Sequence, residues 1–274
     1  MIDFKNSDDL ISQLEKTIDN PKKVNKDEEL LVGVDLGTAY IVIVVLDKDK
    51  NPVACEMEFA QVIRDGLVVD YIGAMNIVRK LKKNIEEKIG TELTKAAIAV
   101  PPGTGEKDSK THRYVVEGAG LEVVNILDEP TAANEVLHIT DGAIVDIGGG
   151  TTGLSIIEDK NVVYVADEAT GGTHLTLVVA GSYKMKFEDA ENFKKAKDKQ
   201  SEVFPVVIPV IQKMASIVHN HIQKYDVKEL YLVGGTSCLQ GIETIIEKET
   251  KVKTIKPKNP FLVTPLGIAM NCKI

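Results

Sequence analysis

Two stretches of the sequence hold the residues best suited to chemistry, and the two stretches resemble each other. They are Leu31-Val-Gly-Val-Asp-Leu-Gly-Thr38 and Ala143-Ile-Val-Asp-Ile-Gly-Gly-Gly-Thr-Thr152. Each is an apolar, strand-like run that passes through Asp into a glycine turn and continues into a second apolar run. Such a turn can present N–H groups to a phosphate, while the Asp can offer a carboxylate to a hydrated cation. Two such turns facing each other would hold a polyphosphate from both sides.

Either turn alone is equally well explained as a β-hairpin whose glycines satisfy the backbone geometry. The order of further motifs favours the functional interpretation. Leu232-Val-Gly-Gly-Thr-Ser237 is a third glycine turn after an apolar strand, and Asp128-Glu-Pro-Thr-Ala-Ala133 lies between the first two turns. In this order of elements the chain resembles the actin-like ATPase superfamily, which includes DnaK-type chaperones, MreB, FtsA and sugar kinases.

The resemblance runs from about Leu30 to the C-terminus. It implies an α/β fold of two ribonuclease-H-like lobes, residues 30–140 and 141–274, with a C-terminal helix that returns to the hinge. The segments 47–70 and 198–202 are too short for the upper subdomains of larger relatives, so both are expected to be reduced or absent. The compact length and the Gly171-Gly-Thr-His-Leu-Thr176 run are most similar to a chaperone-like family of bacterial ethanolamine-utilisation operons.

The resemblance also implies roles for particular residues. Asp35 and Asp146 would hold Mg²⁺, largely through water, and Glu129 would orient or deprotonate the attacking water. The residues implied in binding ATP or ADP are Gly37, Thr38, Gly148, Gly149, Gly150 and Thr151 for the phosphates, and Glu191, Lys194, Gly234 and Gly235 for the adenosine.

Simpler interpretations of some of these residues stay open. Glu129 could only interact with a helix dipole, and Glu191 with Lys194 could be an exposed ion pair on a charged helix. No motif identifies a lysine that assists phosphoryl transfer. Lys48, Lys50 and Arg64 are available, and the sequence assigns none of them.

Composition limits the class of protein. The 274 residues include 33 basic and 41 acidic side chains, a formal net charge of −8, which disfavours nonspecific contact with nucleic acid or anionic lipid. The longest apolar runs, such as Tyr40–Leu46, have the length of strands, so no membrane span is expected. The N-terminus does not resemble a signal peptide, and we expect a cytoplasmic protein.

Residues 1–29 are predicted to be a separate amphipathic helix and a charged linker. Ser7 is expected to cap the helix and Asn20-Pro21 to end it. The helix either packs on its own first lobe, which we favour, or docks on a partner. Its apolar stripe consists of Leu10, Ile11, Leu14 and Ile18.

The elements that must position the motifs alternate as β-β-β-α-β-α-β-α up to about residue 140, and a similar progression follows. In the second half, a helix over Phe204–Tyr225 is expected to begin late or kink because of Pro205 and Pro209.

Three functional classes are compatible with the sequence. The resemblance favours an ATP-binding, weakly hydrolysing chaperone-like protein that acts on a protein client, either an enzyme of the ethanolamine pathway or a shell protein of a bacterial microcompartment. The others are a small-molecule kinase of the same superfamily and a nonhydrolysing nucleotide-binding scaffold. No additional sugar-type or Asp-rich motif is found for a kinase substrate.

Overall fold

The computed structural model describes residues 4–25 and 28–273. The strands of the first half are β1 (Leu30–Leu36), β2 (Tyr40–Asp47), β3 (Pro52–Phe59), β4 (Ile63–Arg64), β5 (Leu67–Val68), β6 (Lys95–Val100) and β7 (Glu122–Asp128). Five of them form a sheet in the order β3-β2-β1-β6-β7, and β4 with β5 forms a separate hairpin. β1 to β3 are an antiparallel meander, whereas β6 is parallel to β1 and β7.

The second half repeats this arrangement. Its strands are β8 (Gly142–Ile147), β9 (Thr152–Glu158), β10 (Asn161–Glu168), β11 (Glu229–Val233) and β12 (Lys253–Ile255). They form a five-stranded sheet in the order β10-β9-β8-β11-β12. Again a three-stranded meander is extended by two parallel strands. The duplicated α/β fold expected from the paired motifs is therefore confirmed.

The helices connect and cover these sheets. They are α1 (Lys5–Asp19), α2 (Tyr71–Ile89), α3 (Glu106–Gly118), α4 (Glu129–Leu137), α5 (Gly172–Tyr183), α6 (Phe187–Lys195), α7 (Gln200–Ile222), α8 (Ile242–Thr250) and α9 (Val263–Met270). α2 shows how the sequence sets the bounds. Asp70 caps its first turn by accepting the N–H of Gly73, and Gly90 ends it at a φ of 87°.

Three hydrophobic clusters hold the elements together. One lies between the first sheet and α2 and α3, and a second between the other sheet and α5, α7 and α8. The third unites both sheets, because it contains Val44 of β2 and Ile144 of β8 together with Ala132 of α4 and Leu266 of α9. The two halves thus share a central core.

The N-terminal helix α1 packs on its own chain. Ile11 and Leu14 are fully buried in the central cluster. The side chain of Asp8 accepts a hydrogen bond from the backbone N–H of Lys258 at 2.8 Å. The helix therefore touches both the first sheet and the segment before α9, and the interpretation that favoured packing within the chain is confirmed.

The prediction that Ser7 caps α1 is wrong. The helix begins at Lys5, and the hydroxyl of Ser7 donates to the carbonyl oxygen of Val136, 2.7 Å away on α4. The Ser7 side chain therefore bonds to a distant helix and not to the first turn of α1. Residues 1–3 of the predicted N-terminal segment, 26 and 27 of its linker, and 274 lie outside the described residues.

The regions where larger relatives carry upper subdomains are small. Between β3 and α2 the chain forms the β4–β5 hairpin. Between α5 and α7 it forms the short α6 and a 3-10 turn over Lys197–Lys199. Both segments border the space between the two sheets, so the reduced form expected from their lengths is what the structure shows.

α7 differs from the prediction made from its two prolines, Pro205 and Pro209. The prediction was a late start or a kink, and the late start is wrong, because the helix begins at Gln200, ahead of both prolines. Pro205 and Pro209 are exposed, so the carbonyl groups that lose a helical N–H partner lie on the solvent side. Buried residues such as Val203 and Val207 hold the opposite side.

One described helical stretch, Lys197–Ile222, has the length and hydropathy that a membrane-crossing helix would need. Core helices of water-soluble proteins pass the same test. Here its inward side belongs to the hydrophobic cluster of the second sheet.

Candidate functional site

The ends of β1 and β8 bring the paired motifs to one cavity of about 690 Å³ between the two sheets. Asp35 lies at the end of β1 and Asp146 at the end of β8, each followed by its glycine turn. Every site residue proposed from the sequence lines this cavity: Asp35, Gly37, Thr38, Glu129, Asp146, Gly148, Gly149, Gly150, Thr151, Glu191, Lys194, Gly234 and Gly235.

The two glycine turns are in contact. A Cβ added to Gly149 would lie 2.9 Å from that of Ala39, and one added to Gly150 would lie 2.7 Å from Thr38 Oγ1. Only glycine allows this approach, because any larger side chain would push the turns apart. The turns therefore face each other, as their repetition in the sequence predicts.

The second turn directs its carbonyl groups into its own half of the protein. The carbonyl oxygen of Gly148 accepts from Gly172 N at 2.9 Å and from Thr236 Oγ1 at 2.7 Å, and that of Gly149 accepts from Thr173 N at 2.8 Å. Among the described residues, the backbone N–H groups of Gly149 and Gly150 have no hydrogen-bond partner. These donors are suited to an anion in the cavity.

Three carboxyl groups at the cavity have a raised pKa. Burial, and then the charge of Asp146, raise the pKa of Asp35 to about 7. Burial raises the pKa of Asp146 to about 6. Burial followed by the charges of Asp146 and Asp35 raises the pKa of Glu129 well above its usual range. A cluster of buried carboxylates favours a bound cation, because the positive charge would relieve the repulsion between the negative ones.

Asp146 is held in place from two sides. Its Oδ2 accepts a hydrogen bond from Thr264 Oγ1 at 2.7 Å, at the start of α9. Gly234, at a φ of 87°, passes so close that a Cβ there would lie 2.2 Å from Asp146 Oδ1. The third glycine turn thus packs directly against the Asp146 carboxylate, and it also lines the cavity.

Glu129 is the first residue of α4, but it does not cap the helix. That task falls to Asp128, whose two carboxylate oxygens accept the backbone N–H and the hydroxyl of Thr131 at 2.8 and 2.7 Å. The side chain of Glu129 is left to line the cavity beside Asp35 and Asp146. The dipole interpretation alone does not account for this placement.

Glu191 and Lys194 form a buried pair and not an exposed one. Their side chains are 9% and 12% exposed, and Lys194 Nζ lies 2.7 Å from Glu191 Oε2. Lys194 also donates to Thr176 Oγ1 at 2.8 Å and to the carbonyl oxygen of Gly172 at 3.1 Å. Burial lowers the pKa of Lys194, and Glu191 opposes that shift.

The other end of the cavity is aromatic. The ring of Tyr40 packs edge-on against Phe59 and Phe261, with centroids 5.6 and 5.5 Å away. Lys195 from α6 donates to the hydroxyl of Tyr40 at 2.7 Å and lies 5.1 Å from the centroid of Phe59. This contact bridges the two halves, and Phe261 covers Gly235 on the adjoining wall.

Comparison with known proteins gives a consistent result. A family model described as type IV pilus assembly protein PilM matches residues 113–269. The ethanolamine utilization protein EutJ of Salmonella typhimurium is 42% identical over 252 residues, which cover 91% of this chain and 88% of that protein. EutJ of Escherichia coli is 41% identical over 259 residues, which cover 94% of this chain and 91% of that protein. The chain belongs to the EutJ family.

Solved structures agree with membership of the EutJ family. The crystal structure of EutJ from Carboxydothermus hydrogenoformans is 47% identical, with a TM-score of 0.91 and coverage of 97% of this chain and 98% of that one. A PilM–PilN type IV pilus biogenesis complex matches at a TM-score of 0.71 and 15% identity over 90% of this chain and 98% of that one. MreB5 of Spiroplasma citri bound to ADP matches at a TM-score of 0.68 and 16% identity, with 90% of this chain and 96% of that one covered. The fold is the actin-like ATPase fold.

Sequence reasoning missed Thr264, which lines the cavity, and Asp167, which interacts with the cavity residues Thr151 and Asp146. Thr264 binds Asp146 from far along the chain, in α9, where the resemblance implies a C-terminal helix that returns to the hinge. Asp167 on β10 has a carboxylate oxygen that is buried without a hydrogen-bond partner. Burial raises the pKa of Asp167 to about 6, opposed by a hydrogen bond with Thr151. No local pattern distinguishes Asp167 from other strand residues.

The arrangement fits Mg²⁺ together with phosphate, and it does not fit a metal bound by protein alone. No group of three or more His, Cys, Asp or Glu side chains in the described ranges is arranged to hold a metal. Mg²⁺ usually keeps several waters and takes one or two carboxylates plus substrate phosphates. Asp35 and Asp146 supply that number of carboxylates beside unpartnered backbone N–H groups.

We expect the nucleotide-free chain to become more stable as the pH falls from 8 to 6.5. The folded-state pKa of Asp35, about 7, exceeds its unfolded value near 3.8, so the folded state takes up protons first and gains stability that is lost as pH rises through 7. The melting temperature should rise by about 2–4 °C. Buried His112, whose pKa is lowered, acts in the opposite direction below pH 6.5.

Asp35→Asn is the matched variant for this pH experiment, since it keeps the shape and removes the titrating group. Its melting temperature should change less between pH 8 and 6.5 than that of the unaltered chain, measured without Mg²⁺. An identical slope in the two proteins would show that Asp35 titrates in its ordinary range.

Proposed function

We propose that this chain is an ATP-binding, weakly hydrolysing accessory protein of bacterial ethanolamine utilisation that acts on another protein. The observation that carries the proposal is the pair of glycine turns that face each other beside three carboxylates in one cavity. The names of its EutJ relatives support the pathway. A relative in fold, MreB5, is described as bound to ADP, which supports a nucleotide as the ligand.

The residues divide into three tasks. The backbone N–H groups of Gly149 and Gly150 would donate to the phosphates from one side, and the turn at Thr38 would donate from the other. Asp35 and Asp146 would hold hydrated Mg²⁺, whose charge offsets that of the phosphates. The raised pKa of Glu129 suits a group that accepts a proton from water.

The adenosine would occupy the part of the cavity between α6 and the third glycine turn. The buried pair of Glu191 and Lys194 offers a carboxylate and an ammonium group there. Gly235 lets the backbone approach closely, with Phe261 over it. We propose residues 30–140 and 141–274 as the two lobes that close on the nucleotide.

The client and location are part of the same proposal. A ligand that contacts both lobes favours a closed arrangement by its differential affinity for the closed and open states, and only by that amount. The closed arrangement would present a different outer surface to a client. We propose an enzyme of the ethanolamine pathway or a microcompartment shell protein as that client, and the cytoplasm, in association with a microcompartment, as the location.

Saturating Mg-ATP is expected to raise the melting temperature by about 5–10 °C. A ligand at about 100 times its Kd stabilises the native state by about 2.7 kcal/mol, and each kcal/mol corresponds to about 2–4 °C in a chain of this size. Thermal scans with Mg-ATP, Mg-ADP and no nucleotide measure the shift. ATP with a chelator is the control, and it should give a smaller shift because the carboxylates then repel the phosphates. Absence of any shift at millimolar Mg-ATP would exclude the nucleotide-binding function.

Two alternatives remain within the same fold. A small-molecule kinase would consume ATP faster when ethanolamine, acetate or a sugar is added, whereas an accessory protein would consume it at the same slow rate with or without an acceptor. A nonhydrolysing scaffold would bind Mg-ATP and release no phosphate. One phosphate-release assay with and without acceptors separates the three.

A further inference from the structure

The β4–β5 hairpin reaches from the first half of the protein to the second glycine turn. Its tip is formed by Asp65 and Gly66, at φ values of 48° and 76°. A Cβ on Gly66 would lie 2.8 Å from Pro101 Cγ, and one on Gly150 would lie 3.0 Å from Asp65 N. The tip is therefore packed against its own half and against the turn proposed to bind phosphate.

Arg64 immediately precedes this tip. It pairs with Leu67 across the hairpin, and its exposed side chain lines the cavity together with Asp65 and Gly66. Because Asp65 touches Gly150, the neighbouring Arg64 starts from a backbone position beside the second glycine turn. A guanidinium group on a side chain of this length can reach several positions at that end of the cavity.

The other long cations at the cavity already have partners. Lys194 is bonded to Glu191, Thr176 and Gly172, and Lys195 is bonded to Tyr40. Within residues 4–25 and 28–273, the side chain of Arg64 forms no ion pair or hydrogen bond. It is thus the cavity-lining Lys or Arg of the described chain whose donors are available to a ligand.

The negative charge at this end of the cavity favours a cationic side chain that can contact phosphate. Asp35, Asp146 and Glu129 line it, and Asp65 lies at the hairpin tip. A triphosphate would add several negative charges, which a single Mg²⁺ offsets only in part. An arginine can donate two parallel N–H bonds to phosphate oxygens, and charge-assisted hydrogen bonds of this type are among the stronger ones in proteins.

We propose that Arg64 binds the terminal phosphates of the nucleotide and makes the site selective for triphosphate over monophosphate. This inference rests on the proposed nucleotide binding and adds a residue that no sequence motif assigns. Because Arg64 belongs to one half and Gly150 to the other, a phosphate held by both also fastens the hairpin over the cavity.

The test compares the affinities of the unaltered chain, Arg64→Ala and Arg64→Lys for Mg-ATP and AMP by titration calorimetry. Arg64→Ala should weaken Mg-ATP binding about 10- to 100-fold and leave AMP binding unchanged, since a charge-assisted contact to the outer phosphates is lost. Arg64→Lys should recover part of the loss. Arg79→Ala is the matched control, because Arg79 lies on α2, bonded to Asn76 and Gly118 and away from the cavity.

The outcomes separate this inference from the proposed function. If Arg64→Ala weakens ATP and AMP equally, or weakens neither, the assignment of Arg64 is wrong although nucleotide binding stands. If the unaltered chain binds neither Mg-ATP nor AMP, the proposed function itself fails, and the assignment fails with it. Equal melting temperatures of Arg64→Ala and Arg79→Ala without nucleotide would establish that a loss of affinity is not a loss of fold.

Discussion

Glu129→Gln is expected to reduce ATP hydrolysis by about 10²- to 10⁴-fold while changing Mg-ATP affinity little. Glutamine keeps the shape of the side chain and removes the proton acceptor, and loss of a general base has an effect of this size. Single-turnover phosphate release measures the rate, and calorimetry measures the affinity. The raised pKa of Glu129 and its freedom from the capping role motivate the choice of this residue.

Glu135→Gln is the control for the same helix. Glu135 lies on α4, 37% exposed, and its carboxylate is 2.9 Å from Lys50 Nζ. Such a surface pair contributes little to stability, so this variant should hydrolyse ATP at the unaltered rate. A Glu129→Gln protein as fast as Glu135→Gln would rule out the catalytic assignment.

Gly267→Ala is expected to lower the melting temperature by at least about 6–12 °C or to prevent folding. A Cβ at this position in α9 would lie 1.8 Å from the carbonyl oxygen of Ala132 in α4. The obstacle is backbone, so no side-chain rotation relieves it, and the two helices must separate at a cost of about 3 kcal/mol or more. Circular dichroism against temperature measures the effect.

Gly181→Ala provides the opposite expectation in another helix. Gly181 lies in α5, and a Cβ there meets no atom within 4 Å. Alanine should stabilise this helix by about 0.5–1 kcal/mol. If both alanine variants melted at the same temperature, the close crossing of α4 and α9 would not be the feature that limits stability.

Local patterns in the sequence were enough to predict many elements. α2 is one of the helices in the predicted alternation, and it runs from Tyr71 to Ile89 because its apolar period is long and Gly90 provides a clear stop. β1, β3 and β8 follow apolar runs bounded by turns. α7 differed, since the cost of Pro205 and Pro209 depends on which side of the helix faces solvent, and that is set by packing on a distant sheet.

The sequence predicted the site residues that belong to recognisable motifs. Asp35, Asp146 and Glu129 lie at strand or helix ends that a motif can identify, and they do line one cavity. Thr264 lines the cavity, and Asp167 bonds to Thr151 beside it, through contacts between distant segments that a single sequence does not reveal. The same holds for Arg64, whose position depends on the contact between Asp65 and Gly150.

The shared central cluster couples the stabilities of the two halves. Side chains of both sheets meet there with those of α1, α4 and α9, so each half shares this side of its core with the other half. A chain cut after residue 140 would leave Ile144, Tyr231 and Val233 without the α4 and α1 side chains of that cluster. A substitution that weakens this cluster is therefore expected to destabilise both halves together, although each half also packs a cluster of its own.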